Sequence, residues 1–133
     1  MRSGINIIVV DDNHEFRESI KDLLIRRFKC NVISEATNGN EFLNLSLHHK
    51  ADVILMDLYM PFMNGIEATK RILYYFGNAK IIALTNLHDE DILQTLIEAG
   101  FKGYIFKNSI FEEIEDAIEA ILSGNLWFKG LTE

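Results

Sequence analysis

A chain of 133 residues, 48% apolar and 25% charged, is sized for one domain with a single sizeable core. A formal charge of −7 and the lack of a basic patch exclude direct nucleic-acid binding as its natural role. No apolar run approaches the roughly 20 residues that span a bilayer, and "MRSGINIIVV" lacks the parts of a signal peptide. With a single cysteine, Cys30, there is no internal disulfide, and no membrane association and a cytoplasmic location are expected.

In chain order, the first element is an apolar strand, Ile5–Val10, that stops at the acidic pair Asp11–Asp12. Phe16, Ile20, Leu23, Leu24 and Phe28 follow at helical spacing; His14 reads as a loop residue, and Arg26, Arg27 and Lys29 as the helix end. Cys30 opens a second strand, Asn31–Ala36, as a small buried residue rather than a reactive thiol. Asn38 with Glu41 imitates a capping box. His48 and His49 are adjacent, so on a helix they point about 100° apart; they read as a solvated helix end and not as a metal pair. The third strand, Val53–Met56, runs straight into Asp57 within "DVILMDLYMPFMNG". The fourth, Lys80–Leu84, ends at Thr85, after which His88 reads as loop and "HDED" (88–91) as a helix start. Ile92, Leu93, Leu96 and Ile97 mark a short helix. The fifth strand, Gly103–Phe106, ends at Lys107. Ser109 with Glu112 then forms a capping box for a last helix carrying Ile110, Ile114, Ala117, Ile118 and Ile121. Beyond it, Trp127 and Phe128 fit either a plug over the core or a partner surface.

Alternating strands and helices imply crossover connections and a parallel sheet covered on both faces. The first, third and fourth strands are apolar almost throughout, as interior strands must be. The second mixes Ser34 and Glu35 with Val32 and Ile33, and the fifth is short, so both read as edges. The expected fold class is therefore α/β: a single-domain doubly wound (βα)5 flavodoxin-like sheet with strand order 2-1-3-4-5. Ligands of such sheets sit beyond the carboxyl ends of the strands, which here carry Asp11, Asp12, Asp57, Thr85 and Lys107. Three carboxylates that close raise one another's pKa, and one lysine is too little to hold them ionised. A hard divalent cation suffices, and all-oxygen donors favour Mg²⁺ over zinc. Asp57 then reads as a metal neighbour and potential nucleophile; the plainer alternative is an aspartate that caps the next turn.

At these residues the chain resembles the response-regulator receiver domain of two-component signalling. The likeness runs from "IIVVDDNHEFRESI" to "AIEAILSGNLWF", with Asp11–Asp12, "MDLYMPFMNG", "ALT" and "GYIFK" in family order and spacing. "DDNHEFRES", "EAGFKGYIFK" and "AIEAILSGN" look most like the NarL/FixJ (LuxR-type) subfamily. The resemblance implies that Asp57 is the phosphoacceptor, taking a phosphoryl group from a phosphohistidine on a sensor histidine kinase or phosphotransfer protein. It implies Mg²⁺ held by Asp12, Asp57 and the backbone carbonyl of Tyr59, with Asp11 acting through water. Thr85 and Lys107 would hold the phosphoryl oxygens, and Thr85 with Tyr104 would form the switch that reshapes an output surface. An ordinary edge-strand aromatic is the plainer reading of Tyr104. Such a protein is a regulator promoting only its own phosphorylation and dephosphorylation; a homodimer formed on phosphorylation is left open. Members of the subfamily usually carry a C-terminal helix-turn-helix domain. The closing "LTE" resembles the start of one, so residues 1–133 are expected to be a receiver domain with that DNA-binding domain absent from this chain.

Two positions depart from the family pattern. Asn86 follows Thr85 where a small residue is usual, and its amide is expected to narrow access to the phosphoryl site. Asn108 follows Lys107 where many receivers have proline, so no cis peptide is expected there. Three other functions compete. A flavin or nucleotide carrier needs a phosphate-cradling loop, but the loop here is "DDNHE" and neither GxxxxGK[ST] nor GxGxxG occurs. A haloacid-dehalogenase-like Mg²⁺ phosphohydrolase wants an acid two positions after its nucleophile, where this chain has Tyr59. A stand-alone receiver acting on a protein partner differs from a transcription regulator only in the length of the full protein.

Overall fold

Five parallel strands pair in the order 2-1-3-4-5 in the computed structural model, which describes residues 1–86 and 91–129. They are β1 (Asn6–Val10), β2 (Asn31–Ala36), β3 (Val53–Asp57), β4 (Ile81–Thr85) and β5 (Gly103–Phe106). The helices are α1 (His14–Asp22), α2 (Gly39–Leu43), α3 (Gly65–Tyr75), α4 (Ile92–Ala99) and α5 (Ile110–Leu122). The expected fold class and strand order hold. Every residue of β3 and β4 is buried, whereas β2 at the edge is mostly half-buried and shifts register against β1 between Ile7 and Ile8.

Strand alternation sorts the core into two layers. Ile7, Val9, Leu55 and Leu84 face α1 and α5, where Ile20, Leu24, Ile114 and Ile118 meet them. Ile8, Val10, Met56 and Ala83 face the other side, where Phe42, Ile72 and Leu96 cover them. All five apolar positions read into the last helix are buried. In α4, Leu93 and Leu96 are buried but Ile97 is 41% exposed, so the stripe is narrower than its spacing suggests.

Several local readings change. His14 is the first residue of α1, behind an Asn13 cap whose side chain accepts from the Phe16 N–H at 3.0 Å. α1 continues through a π-helical turn (Leu23–Arg27), which the 3.6-residue spacing did not anticipate. Asn38 does cap α2, accepting from the Glu41 N–H at 2.9 Å. The Glu41 carboxylate turns to the N–H and hydroxyl of Thr37, both at 3.1 Å, so the box is displaced by one residue. Ser109 makes no cap hydrogen bond, because a 3₁₀ turn (Lys107–Ser109) leads straight into α5. His48 is not solvated: it lies buried in a 3₁₀ turn, 2.6 Å by its Nε2 from the Phe42 carbonyl oxygen, between the rings of Phe42 and Phe76. Cys30 is buried as expected, and burial pushes its thiol pKa up.

The C-terminal segment covers the outer edge of β5. Trp127 bridges Gly103 in parallel: its N–H donates to the Lys102 carbonyl at 3.0 Å and its carbonyl accepts from the Tyr104 N–H at 2.9 Å. Its indole N–H donates to Glu113 at 3.1 Å. A Cβ on Gly103 would lie 3.1 Å from the Trp127 carbonyl oxygen, so a side chain there would crowd this contact. Trp127 and Phe128 both pack against the core, which favours the plug reading. No peptide bond among the described residues is cis, and no helix among them is long and apolar enough to cross a membrane. The readings of His88, of "HDED" up to residue 90 and of "LTE" lie outside the described residues.

Candidate functional site

The carboxyl ends of the strands do gather the predicted residues. Asp11 follows β1, is fully buried, and its Oδ1 accepts from the Asn13 N–H at 2.8 Å, which turns the chain into α1. Asp57 closes β3 at 4% exposure, while Asp12 remains exposed. Carboxylate oxygens of Asp11, Asp12 and Asp57 lie within 4.8 Å of one another. Lys107, from the turn after β5, reaches in between: its Nζ is 2.6 Å from Asp11 Oδ2 and 3.6 Å from Asp57 Oδ1. That fully buried Asp11 oxygen has the Lys107 ammonium as its ion-pair partner and makes no other polar contact among the described residues. Thr85 ends β4 at 1% exposure, on a strand paired with β3 through Leu84 opposite Asp57. Strand alternation puts Thr85 on the face of Ala83, and Ala83 pairs with Tyr104. The two proposed switch residues therefore share one face on neighbouring strands, with Tyr104 buried in the core on that side.

Among the described residues the acids of this cluster outnumber the base by two, and Asp57 registers the imbalance. Burial, and then the neighbouring Asp11 charge, push its pKa up to about 7; Lys107 and the Tyr59 N–H, 3.4 Å from Oδ1, offset only part of this. The donors are all oxygen, one is a buried acceptor paired only with Lys107 among the described residues, and the negative charge is in excess. Those features fit a hard divalent cation of the Mg²⁺ type.

The loop after Asp57 is held against the site. The Gly65 N–H donates to the Leu58 carbonyl at 3.0 Å, and a Cβ on Gly65 would fall 2.1 Å from the Asp57 carbonyl oxygen. Any side chain there would displace the end of β3. Two supporting residues escaped the sequence reading. Phe16, assigned only to a helix face, lies under Lys107 with Nζ 4.4 Å from the ring centroid, a cation–π contact that steadies the ammonium. Arg17, buried, donates from Nη1 to the Asp11 carbonyl at 2.8 Å and from Nε to Glu35 at 2.7 Å. Its place one turn after the acidic pair was the available signal.

The fold, with acids at the ends of β1 and β3 and a lysine after β5, is that of a receiver domain. The model of the response regulator receiver domain matches residues 7–119, and the chain belongs to that family. Over 120 residues it is 41% identical to the transcriptional regulatory protein LiaR of Bacillus subtilis, covering 90% of this chain and 57% of LiaR. It is 28% identical over 123 residues to the transcriptional regulatory protein DegU of Brevibacillus brevis, covering 92% and 52% of the two chains. The chain thus spans little more than half the length of these curated relatives. Among solved structures, a LuxR-family two-component response regulator from Aurantimonas superposes with a TM-score of 0.89 at 34% identity, covering 98% of this chain and 94% of that one. The receiver domain of a putative NarL regulator from Mycobacterium tuberculosis gives 0.84 at 27% identity, covering 93% and 100%.

Proposed function

We propose that this chain is the phosphoacceptor receiver of a two-component transcription regulator, with Asp57 as the residue phosphorylated. The observation that carries this is the cluster itself: three carboxylates within 4.8 Å, shared with one lysine whose side chain is 8% exposed. Asp12, Asp57 and the Tyr59 carbonyl would hold Mg²⁺ directly, with Asp11 behind a water. When bound, the cation would supply the charge neutralisation that phosphoryl transfer demands. The chain's own residues do the rest. An Asp57 carboxylate oxygen attacks phosphorus in line as the N–P bond of a donor phosphohistidine breaks. The bonding pair returns to the imidazole, which takes a proton from water, and an aspartyl phosphate remains. Lys107 lies beside Asp57 and meets the charge developing on the phosphoryl oxygens.

Switching uses the pair on the far face of β4 and β5. Thr85, buried beside β3, hydrogen-bonds the new phosphoryl oxygens, and the space it leaves is taken up by Tyr104. Each state differs in that one contact, which gives the phosphoryl group a two-state element to bias. Relatives named as transcriptional regulators, each nearly twice as long as the match, support an output domain on DNA beyond this chain. Acetyl phosphate with Mg²⁺, followed by intact mass, tests the assignment. One phosphoryl adduct on the wild type and none on Asp57→Ala is expected. An adduct that survives Asp57→Ala, or none on the wild type, overturns it.

A further inference from the structure

Phe62, in the loop between β3 and α3, is 86% exposed, more than any other large apolar side chain among the described residues. Its backbone sits at φ +69°, and the Met63 N–H donates to the Pro61 carbonyl at 2.9 Å. The three residues therefore close a γ-turn with Phe62 at its apex. With positive φ at the centre this is the rare and strained hand of that turn. For a bulky side chain the left-handed region is a genuine outlier.

The loop imposes this conformation from both sides. Gly65 N–H to Leu58 carbonyl closes its base at 3.0 Å, and Met63 carbonyl accepts from the Gly39 N–H at 3.0 Å. Packing does not offset the strain, because the ring faces water. Strained, over-determined backbone clusters where contact with a ligand or partner is made, and the location of Phe62 names the partner. Gly65 packs on the Asp57 carbonyl, and Phe62 precedes it by three residues, so their Cα atoms are at most about 11 Å apart. A protein that brings a phosphohistidine to Asp57 covers about 800 Å² of this surface, a disc of roughly 16 Å radius. Phe62 falls inside that footprint, and exposed aromatics are the side chains on which interface energy concentrates.

We propose that Phe62 is an apolar recognition knob for the phosphohistidine-bearing donor protein, which offers it a matching apolar socket beside the histidine. The inference rests on Asp57 being the phosphoacceptor, and the two fail separately in one experiment. Wild type, Phe62→Ala, Phe62→Gly and Phe62→Tyr are each phosphorylated by acetyl phosphate with Mg²⁺. Each is also phosphorylated by one autophosphorylated sensor kinase, chosen from a panel as the fastest on the wild type. With acetyl phosphate all four react within about twofold of one another. With the kinase, kcat/KM falls at least tenfold for Phe62→Ala and Phe62→Gly alike and stays near wild type for Phe62→Tyr, the scale of a single interface anchor. Phe62→Gly, which suits positive φ, also raises the melting temperature. Unchanged kinase rates in Phe62→Ala overturn the knob while leaving the phosphoacceptor intact. Equal losses with both donors also overturn it, since the residue would then be shaping the site itself. A wild type that neither donor labels overturns the phosphoacceptor reading and the knob with it.

Discussion

Two clusters of charge lie on either side of α1, and they behave in opposite ways. At the edge of the sheet, Arg17 and Lys21 of α1 meet Glu35 of β2 at 2.7 and 2.6 Å, and Lys21 also holds Glu18 at 2.8 Å. Two bases face two acids. At the carboxyl end of the sheet, Lys107 is the one base among the described residues that faces Asp11, Asp12 and Asp57. The balanced cluster stabilises its ions: partial burial pushes Glu35 up, but hydrogen bonds from Lys21 and Arg17 more than offset this and hold its carboxyl below the usual range. The hydrogen bonds that Lys21 donates to Glu18 and Glu35 likewise push its pKa up. The unbalanced cluster does the reverse to Asp57, driving its pKa to about 7. A charge with its complement fits a scaffold role, and buried carboxylates in excess are what the proposed cation would neutralise. Arg17 ties the two together through the Asp11 carbonyl, so the scaffold cluster also positions the functional one.

The largest expected effect separates the clusters by the sign of their pH dependence. With Asp57 near 7 in the folded chain against 3.8 as its ordinary value, the native state binds more protons than the unfolded state between those values. Stability from this group is therefore intact below about 4 and lost as pH rises through about 7, a change on the order of 4 kcal/mol. In EDTA, melting temperature should fall from pH 5 to pH 8. Mg²⁺ should restore it at pH 8, and Asp57→Asn should flatten the profile. Urea denaturation across that range checks this; a wild-type profile as flat as that of Asp57→Asn contradicts it.

A smaller effect of opposite sign belongs to the edge cluster. Glu35, lowered from its ordinary value, contributes stability that is present above about 4.5 and lost as pH falls through its folded pKa. Glu35→Gln should cost on the order of 1 kcal/mol at pH 7, the scale of a partly exposed ion pair, and less at pH 3. Chemical denaturation at both pH values measures it, and an equal loss at both would show that the contribution is packing rather than charge.

How legible each region was depended on the range of the interaction. Asp11, Asp57, Thr85 and Lys107 were readable because each terminates a strand, and strand order follows from which runs are apolar throughout; once ordered, their ends must converge. Glu35 told only that β2 is an edge strand, because its partners Arg17 and Lys21 lie on a helix that only the fold brings alongside β2. His48 looked solvated for the same reason: the ring of Phe76, which stacks on it at 5.8 Å, is 28 residues away in sequence. Phe62 was invisible because its peculiarity is a backbone angle, and "PFMN" gives no period from which to read one.

Calorimetric titration of Mg²⁺ at pH 8 tests the charge-excess account most directly. One ion per wild-type chain is expected, with affinity weakened tenfold or more in Asp12→Ala, a substitution at an exposed position that leaves the core untouched. Absence of binding to the wild type, or equal affinity in Asp12→Ala, would contradict the account.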